Sequence, residues 1–330
     1  MLATGLFQGR VLRGSEYRPA SELVTESRPD WLVVKSPGGP NHSELKNLFS
    51  KLGLHTVCEE ARCPNMHECW GGGTATLMLM GDVCSRACRF CMVTPGKPAG
   101  ALDTSEPENI AFALSEMGLT YVVLTSVDRD DLPDGGAAHL SRTITLVKER
   151  ISSLLVEVLI PDFQGDLDSL RTIVLARPDV IAHNIETTLS LTPKVRDPRA
   201  GYWQSLSVLR NIKKLNPRTF TKSSIMVGLG ETEEEVLEAM AHLRLAGVDF
   251  LTVGQYLRPS NRHLPVAEYV KPSQFERYRV LGEGLGFRYV ASGPLVRSSY
   301  RAGEFFIRSV IENDISVHQS YMAGGFEVRV

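Results

Sequence analysis

The sequence predicts an α/β protein whose core is a partial (β/α)6 barrel. Two observations lead to this prediction. Short apolar segments rich in β-branched residues recur along the chain, and amphipathic stretches with helical spacing separate them. Apolar strands that alternate with helices are typical of a parallel sheet, because helices cover both of its faces. A chain of 330 residues with 43% hydrophobic content is long enough to bury a substantial core.

Six segments fit the strands of this barrel. In chain order they span residues 77–82, 121–127, 154–161, 180–186, 223–229 and 250–256.

Two of the helices that lie between these strands begin with a capping-box pattern. Ser105 with Glu108 forms the first pattern, and Thr232 with Glu235 forms the second. After the second pattern, one helical face carries Val236, Met240, Leu243 and Gly247.

Charge and hydropathy exclude several classes of protein. With 36 Lys and Arg against 38 Asp and Glu, the net charge of −2 does not favour a general nucleic-acid binder. No apolar stretch approaches the roughly 18–20 residues that span a bilayer. The first thirty residues contain four acidic side chains and no apolar signal core, which argues against a secretory or transit peptide. We therefore expect a cytoplasmic protein with neither a nucleic acid nor a membrane as partner.

The six cysteines form two closely spaced triplets. The first has the spacing CX4CX5C and the second has CX3CX2C; the members are Cys58, Cys63 and Cys69, then Cys84, Cys88 and Cys91. A disulfide framework would instead tie distant segments together, and it is rare in large intracellular proteins. Thiolates that converge from one loop suit a soft metal centre, either zinc or an iron–sulfur cluster.

The count of three cysteines in each triplet leaves one coordination position open. A structural zinc site takes four ligands and a cubane cluster has four irons, so a substrate, cofactor or distant ligand could fill that position. Two zinc alternatives remain. The triplets could combine into one zinc site with two spare thiols, or a histidine such as His55 or His67 could complete a site.

Polar residues appear where several predicted strands end. Cys84 follows the first strand, Asp128 follows the second, and Asn184 with Glu186 closes the fourth. Parallel barrels carry their chemistry at the carboxyl ends of the strands, so these residues are expected around one mouth. The alternatives are that residues 128–131 form a solvated acidic turn and that Asn184 makes an ordinary core hydrogen bond.

The sequence contains a third motif besides the two triplets, which is Arg-Ser-Ser-Tyr at 297–300. CX3CX2C with Phe90 before its last cysteine is the signature of the radical S-adenosylmethionine superfamily. With this signature, the first triplet and the Arg-Ser-Ser-Tyr run, the chain resembles the lipoyl synthase family over about residues 58–304. Residues 125–132, 183–187 and 228–232 also resemble that family.

The resemblance implies two [4Fe–4S] clusters and S-adenosylmethionine. Cys84, Cys88 and Cys91 would hold the cluster that binds S-adenosylmethionine. The residues expected to contact that cofactor are Asp128, Asn184, Glu186, Gly228 and Gly230, the glycines by allowing close approach of the backbone. Cys58, Cys63 and Cys69 would hold an auxiliary cluster, with Ser299 as its fourth ligand.

The activity that the resemblance implies is insertion of two sulfur atoms at C6 and C8 of a protein-bound octanoyl-lysine, with the auxiliary cluster as sulfur donor. The implied partners are octanoylated lipoyl domains of 2-oxoacid dehydrogenase E2 subunits and the glycine-cleavage H protein. An electron donor such as ferredoxin or flavodoxin and an iron–sulfur cluster carrier are implied as well. Four arginines could form a basic rim for an acidic carrier, or could simply be solvated: Arg196, Arg199, Arg258 and Arg262.

These features divide the chain into three expected regions. Residues 1–74 form an extension with the auxiliary-cluster cysteines, 75–287 form the barrel, and 288–330 close over the mouth. Two other functions remain to be weighed. A methylthiotransferase that modifies transfer RNA would normally carry an added RNA-binding module. A non-catalytic zinc or iron–sulfur scaffold would have no use for polar residues at the strand ends.

Overall fold

The computed structural model describes residues 28–32, 51–57, 74–98, 100–299 and 310–311. Its main sheet has eight strands: β1 (His55–Thr56), β2 (Thr74–Leu79), β5 (Tyr121–Ser126), β6 (Leu155–Leu159), β7 (Val180–Ala182), β8 (Phe220–Val227), β9 (Phe250–Gln255) and β10 (Tyr289–Gly293). A second, small sheet pairs β3 (Val83–Cys84) with β4 (Thr94–Pro95) in parallel.

The main sheet has the order β1-β2-β5-β6-β7-β8-β9-β10. β1 is antiparallel to β2, and the following seven strands are parallel to one another. Within the described part of the chain β1 and β10 do not pair, so the sheet remains an open barrel. This architecture confirms the predicted partial barrel. The six predicted strands correspond to β2 and to β5 through β9, whereas β10 was not among the predicted strands.

Seven α-helices lie in the described ranges: α1 (Glu106–Met117), α2 (Ala137–Arg150), α3 (Leu167–Leu175), α4 (Thr192–Val195), α5 (Tyr202–Leu215), α6 (Glu233–Leu245) and α7 (Pro272–Gly284). None of the helices described is long and apolar enough to cross a membrane.

The capping box at the start of α6 is confirmed. The backbone N–H of Thr232 donates to the Glu235 carboxylate at 2.9 Å, and the Thr232 hydroxyl accepts from the Glu235 N–H. The capping box predicted at Ser105 is wrong. Both the N–H and the hydroxyl of Ser105 donate to the carboxylate of Asp103, so the serine does not cap α1.

The hydrophobic core lies between the sheet and its helices. Val236, Met240 and Leu243 are buried on the inner face of α6, as predicted, whereas Gly247 lies beyond the end of that helix. Inside the barrel, the Lys222 ammonium is 2.8 Å from the Glu157 carboxylate.

The first residues of the strands form a separate apolar cluster with Ile311. This cluster includes Tyr121 on β5, Val180 on β7 and Phe250 on β9. Ile311 therefore lies at the end of the barrel opposite the mouth.

Candidate active site

The second cysteine triplet lies on the loop that follows β2. Cys84 ends the short strand β3, and its carbonyl accepts a hydrogen bond of 2.8 Å from the N–H of Gly96. The ring of His263 hydrogen-bonds to the carbonyl oxygen of Cys91 at 2.9 Å. All three thiols are partly exposed. The loop therefore presents the cysteines at the carboxyl end of the sheet, as the sequence predicted.

Burial makes these thiols poor acids in the metal-free chain. It raises the pKa of Cys88 to about 11 and that of Cys91 to about 12. Burial and then the neighbouring Asp128 carboxylate raise the pKa of Cys84. Because metals bind the thiolate form, a bound metal centre would supply the positive charge that this loop needs.

Three cysteine thiols on one loop are the donor set of an iron–sulfur cluster. Across the residues that the structure describes, no group of three His, Cys, Asp or Glu side chains converges as ligands of one metal ion would. The ligands of a [4Fe–4S] cluster do not converge on one ion, since each cysteine binds its own iron. Backbone N–H groups also point at two of the sulfurs, from Arg86 to Cys84 at 3.4 Å and from Asp197 to Cys88 at 3.3 Å.

Arg86 anchors the cysteine loop to the sheet. Its guanidinium donates two hydrogen bonds of 2.8 and 2.9 Å to Asp130, and two of 2.6 and 2.8 Å to Asp162. Only 2% of the Arg86 side chain is exposed. Neither Arg86 nor Asp162 was predicted from the sequence. The available signal was an arginine between two cysteines, combined with aspartates after two successive strands.

Asp128 lies between the loop and this anchor. Its carboxylate is 3.7 Å from the Cys84 sulfur and 3.4 Å from the Arg86 guanidinium. Burial raises the pKa of Asp128 to about 6, against the opposing effect of Arg86. The alternative of a simple solvated turn is wrong for Asp128 and Asp130, because both contact Arg86. A cavity of about 230 Å³ opens beside them.

A second anchor comes from the segment between α4 and α5. The Asp197 carboxylate accepts from the Ala87 N–H at 2.8 Å and from the Arg199 guanidinium at 2.8 Å. Arg199 also donates to the Ser85 carbonyl at 2.7 Å. These contacts hold the middle of the cysteine loop, and Arg199 also reaches the Asp130 carboxylate that binds Arg86, at 3.1 Å.

Asn184 and Glu186 meet at the end of β7. The Asn184 side chain is buried and lies near the Glu186 carboxylate. Burial raises the pKa of Glu186, against the opposing effects of Arg196 and Asn184. The Glu186 backbone has φ +67°, yet it pairs with β8 on both sides, through Ser224 at 3.1 Å and Met226 at 2.8 Å.

The backbone at Gly228 closely approaches other parts of the chain. A Cβ atom there would lie 2.1 Å from the Gln255 side chain and 2.4 Å from the carbonyl oxygen of Glu268. Its carbonyl accepts from the Ala267 N–H at 2.9 Å, and its N–H donates to the Glu231 carboxylate. Internal packing therefore requires a glycine here. Gly230 has φ +108° and nothing closer to a Cβ than 3.8 Å.

The Arg-Ser-Ser-Tyr run crosses the end of β9. A Cβ on Gly254 would lie 2.1 Å from the Val296 carbonyl oxygen, so the chain passes directly over this glycine. The Arg297 guanidinium donates to the Gln255 carbonyl at 3.3 Å. Ser298 and Ser299 are half-buried at this end of the barrel. Tyr300 and the first triplet, Cys58, Cys63 and Cys69, lie outside the described residues.

The predicted basic rim is wrong for one of its four members. Arg196 is buried, and its guanidinium donates to the Ser205 hydroxyl at 2.9 Å and the Ile185 carbonyl at 3.3 Å. Arg199, Arg258 and Arg262 are exposed.

Comparison of this sequence with known proteins identifies the family of the chain. The model for the radical SAM superfamily matches residues 78–243, and the model for the N-terminal domain of lipoyl synthase matches residues 12–63. A lipoyl synthase of Anaeromyxobacter sp. is 61% identical over 86% of this chain and 97% of its own length. The chain belongs to the lipoyl synthase family. The family also includes a Thermus thermophilus protein, which is 57% identical over 91% of this chain and 92% of its own length. The human mitochondrial protein is 55% identical over 86% of this chain and 77% of its own length.

Two solved structures support the fold alone. Methylornithine synthase is 15% identical, with a TM-score of 0.50, over 82% of this chain and 92% of its own. The hydrogenase maturase HydG from Carboxydothermus hydrogenoformans is 14% identical, with a TM-score of 0.53, over 82% and 79%. Membership of the lipoyl synthase family makes the chain a radical enzyme that uses S-adenosylmethionine and [4Fe–4S] clusters, an auxiliary cluster included. The family membership does not favour the scaffold alternative or the methylthiotransferase.

Proposed function

We propose that the chain inserts sulfur at C6 and C8 of an octanoyl chain carried on a lysine of a lipoyl carrier domain. The observation that carries this proposal is the 61% identity to a lipoyl synthase over nearly its whole length. The open cysteine loop at the carboxyl ends of the strands supports it, because an aliphatic chain can enter there.

In this proposal Cys84, Cys88 and Cys91 each hold one iron of a [4Fe–4S] cluster. When bound to S-adenosylmethionine, that cluster supplies the 5′-deoxyadenosyl radical that removes hydrogen from unactivated C–H bonds. The protein positions the reacting groups and excludes water. Arg86 and Asp197 hold the loop in place.

Polar side chains near the loop would orient the cofactor. Asn184 and Glu186 are assigned to its polar groups, together with Asp128, and Gly228 and Gly230 to the backbone beside it. The position of both side chains at the end of β7, with Asn184 near the Glu186 carboxylate, supports this assignment. The close internal packing of Gly228 accounts for that glycine without a cofactor.

The auxiliary cluster is assigned to Cys58, Cys63 and Cys69, with Ser299 as the fourth ligand. A serine alkoxide is a harder ligand than a thiolate and matches iron in this cluster less well. A cluster held in this way opens more easily and can release its sulfide to the substrate. The passage of the 294–299 segment over Gly254 supports this role, since it brings Ser299 to the strand ends.

We also propose the partners of this reaction. They are the lipoyl domains of E2 subunits and the H protein as substrates, a ferredoxin or flavodoxin as electron donor, and a cluster carrier that rebuilds the auxiliary cluster. The reaction would take place in the cytoplasm. The proposed regions are a cysteine-rich extension (1–74), a barrel (75–287) and a closing segment (288–330).

The test uses protein reconstituted without oxygen and mixed with reductant, S-adenosylmethionine and an octanoyl-lysine peptide. We expect 5′-deoxyadenosine by chromatography and a peptide with two added sulfurs by mass spectrometry. Deoxyadenosine without sulfur insertion would indicate that the enzyme performs its radical chemistry on a different substrate. Neither product, from protein shown to hold both clusters, would contradict the proposed function.

A further inference from the structure

A cationic surface surrounds the part of the loop that carries Cys88 and Cys91. We call it the cationic face, and its members are Arg89, Lys194, Arg199, Arg258 and Arg262, all exposed. They come from three separate segments, residues 88–91, 193–199 and 257–264. The only acidic residue in those segments is Asp197, which is buried. Arg199 pairs with Asp197 and with Asp130, so the positive charge of the face comes mainly from the other four members. Such a concentration of positive charge is unusual on a chain whose net charge is −2.

Hydrogen bonds join the three segments directly at the cysteine loop. The Arg89 N–H donates to the Val195 carbonyl at 2.9 Å, and the Arg89 carbonyl accepts from the Leu264 N–H at 3.3 Å. The Arg89 guanidinium also donates to the Lys194 carbonyl at 3.2 Å. The cationic face is therefore built on the backbone that holds the cluster ligands.

The charges of Arg89 and Arg258 both act on the phenol of Tyr256. Burial raises the pKa of the Tyr256 phenol to about 12, and both guanidinium groups oppose this rise. Within the described residues, the Arg262 guanidinium makes no hydrogen bond or ion pair. A negatively charged partner would supply the opposite charge to these guanidinium groups.

We propose that the cationic face docks an acidic protein that donates single electrons to the cluster of Cys84, Cys88 and Cys91. This inference rests on the proposed function, which requires such a donor. In each encounter the reduced donor is oxidised by one electron and the cluster is reduced by one electron; no bond forms or breaks.

The position of the face favours an electron donor over a carrier domain. Electron transfer needs a short distance between the two redox centres, and Arg89 lies between two cluster ligands in the sequence. A carrier domain can instead reach the mouth with its long lysine arm. Opposite charges speed such transient encounters, and salt weakens them.

The test compares the reconstituted wild-type enzyme with the double variant K194E/R262E. Photoreduced flavodoxin, an acidic one-electron carrier, is the donor in one series, and dithionite in the other. The rate of cluster reduction is followed by stopped-flow absorbance, and 5′-deoxyadenosine is measured separately. At low salt we expect cluster reduction by flavodoxin to slow by about tenfold or more, from the loss of electrostatic steering. Reduction by dithionite should change by less than about twofold.

The matched control is K214E/R218E, which reverses two exposed cations at the end of the barrel where the strands begin. This variant should behave as the wild type with both reductants. Unchanged reduction of K194E/R262E by flavodoxin would overturn the proposal, as would equal slowing with dithionite.

A carrier-docking surface would give another pattern. With dithionite as reductant, K194E/R262E would then be slow on an octanoylated carrier domain and normal on a short octanoyl-lysine peptide, which would also overturn the proposal. If the wild type is reduced but inserts no sulfur, the proposed function fails, while the comparison of reduction rates still decides the docking question.

Discussion

The Arg86 guanidinium and the Asp162 carboxylate form two hydrogen bonds, of 2.6 and 2.8 Å, in a buried position. Arg86 belongs to the cysteine loop, and Asp162 follows β6. This pair therefore fixes the loop to a strand that is 76 residues away in the sequence. Burial alone would raise the pKa of Asp162, but Arg86 outweighs it and lowers this pKa to about 2.

Replacing Arg86 with glutamine should strongly destabilise the protein. The change leaves the buried Asp162 carboxylate without its cation, and breaking a buried pair in this way costs about 3–5 kcal/mol. Urea unfolding of the cluster-free protein measures the loss. Arg89→Gln is the matched control, because this exposed arginine of the same loop should contribute less than about 0.5 kcal/mol. Equal losses in the two variants would contradict the anchoring role of Arg86.

Acid should destabilise the fold through His183. Burial, and next the charge of Arg196, lower the pKa of this histidine from 6.5 to about 4. One ring nitrogen bonds to the Ile160 carbonyl and the other to the Ser205 hydroxyl, both at 2.9 Å. The unfolded chain binds the proton more readily, so stability falls as the pH drops from about 6.5 towards 4. The loss over that window is about 3 kcal/mol.

Urea unfolding at a series of pH values measures this dependence. His183→Gln should flatten the curve between pH 6.5 and 4, although it also lowers stability at neutral pH. A variant curve parallel to that of the wild type would show that His183 does not cause the acid sensitivity.

Gly254→Ala should separate radical formation from sulfur insertion. The new methyl group would overlap the Val296 carbonyl oxygen and displace the 294–299 segment, which carries Ser299. We expect 5′-deoxyadenosine to form, with sulfur insertion reduced about tenfold or more, the effect of a misplaced reacting group. Gly284→Ala is the control, because nothing lies within 4 Å of a Cβ there. Normal insertion by Gly254→Ala would show that this segment tolerates displacement.

Ser299→Cys tests the proposed ligand of the auxiliary cluster. A fourth thiolate should hold the cluster more tightly, so the second sulfur insertion should fall sharply while cluster content is retained. Ser298→Cys, at the neighbouring position, serves as the control. Mass spectrometry distinguishes peptides with one and two added sulfurs. Undiminished insertion of both sulfurs by Ser299→Cys would count against the assignment.

The barrel could be predicted because its central strands are continuously apolar. β5 and β9 are buried along almost their whole length, and such runs are visible in the sequence. β2 begins three residues earlier than predicted, and its polar residue Thr76 is buried in the sheet. β10 was missed because its sequence, YVASG, carries small residues where the following segment packs closely.

The candidate site was only half predictable. Cysteine spacing identifies the loop, since its ligands are neighbours in the sequence. The anchors of the loop join residues far apart in the chain, such as Arg86 and Asp130, and no local pattern shows which of these residues pair. The prediction that Arg196 lies on the surface was wrong for a related reason. An arginine beside proline and aspartate resembles a surface residue until Ser205 is seen to bind it in the interior.

We expect the left-handed backbone at Glu186 to lower the thermal resistance of the protein. This conformation costs a residue with a side chain about 1–2 kcal/mol, a cost that glycine avoids. Repeated selection for heat resistance alone would therefore favour Glu186→Gly and would remove a carboxylate from the mouth. A screen that scores only survival after heating should recover this change in proteins that no longer make lipoyl groups.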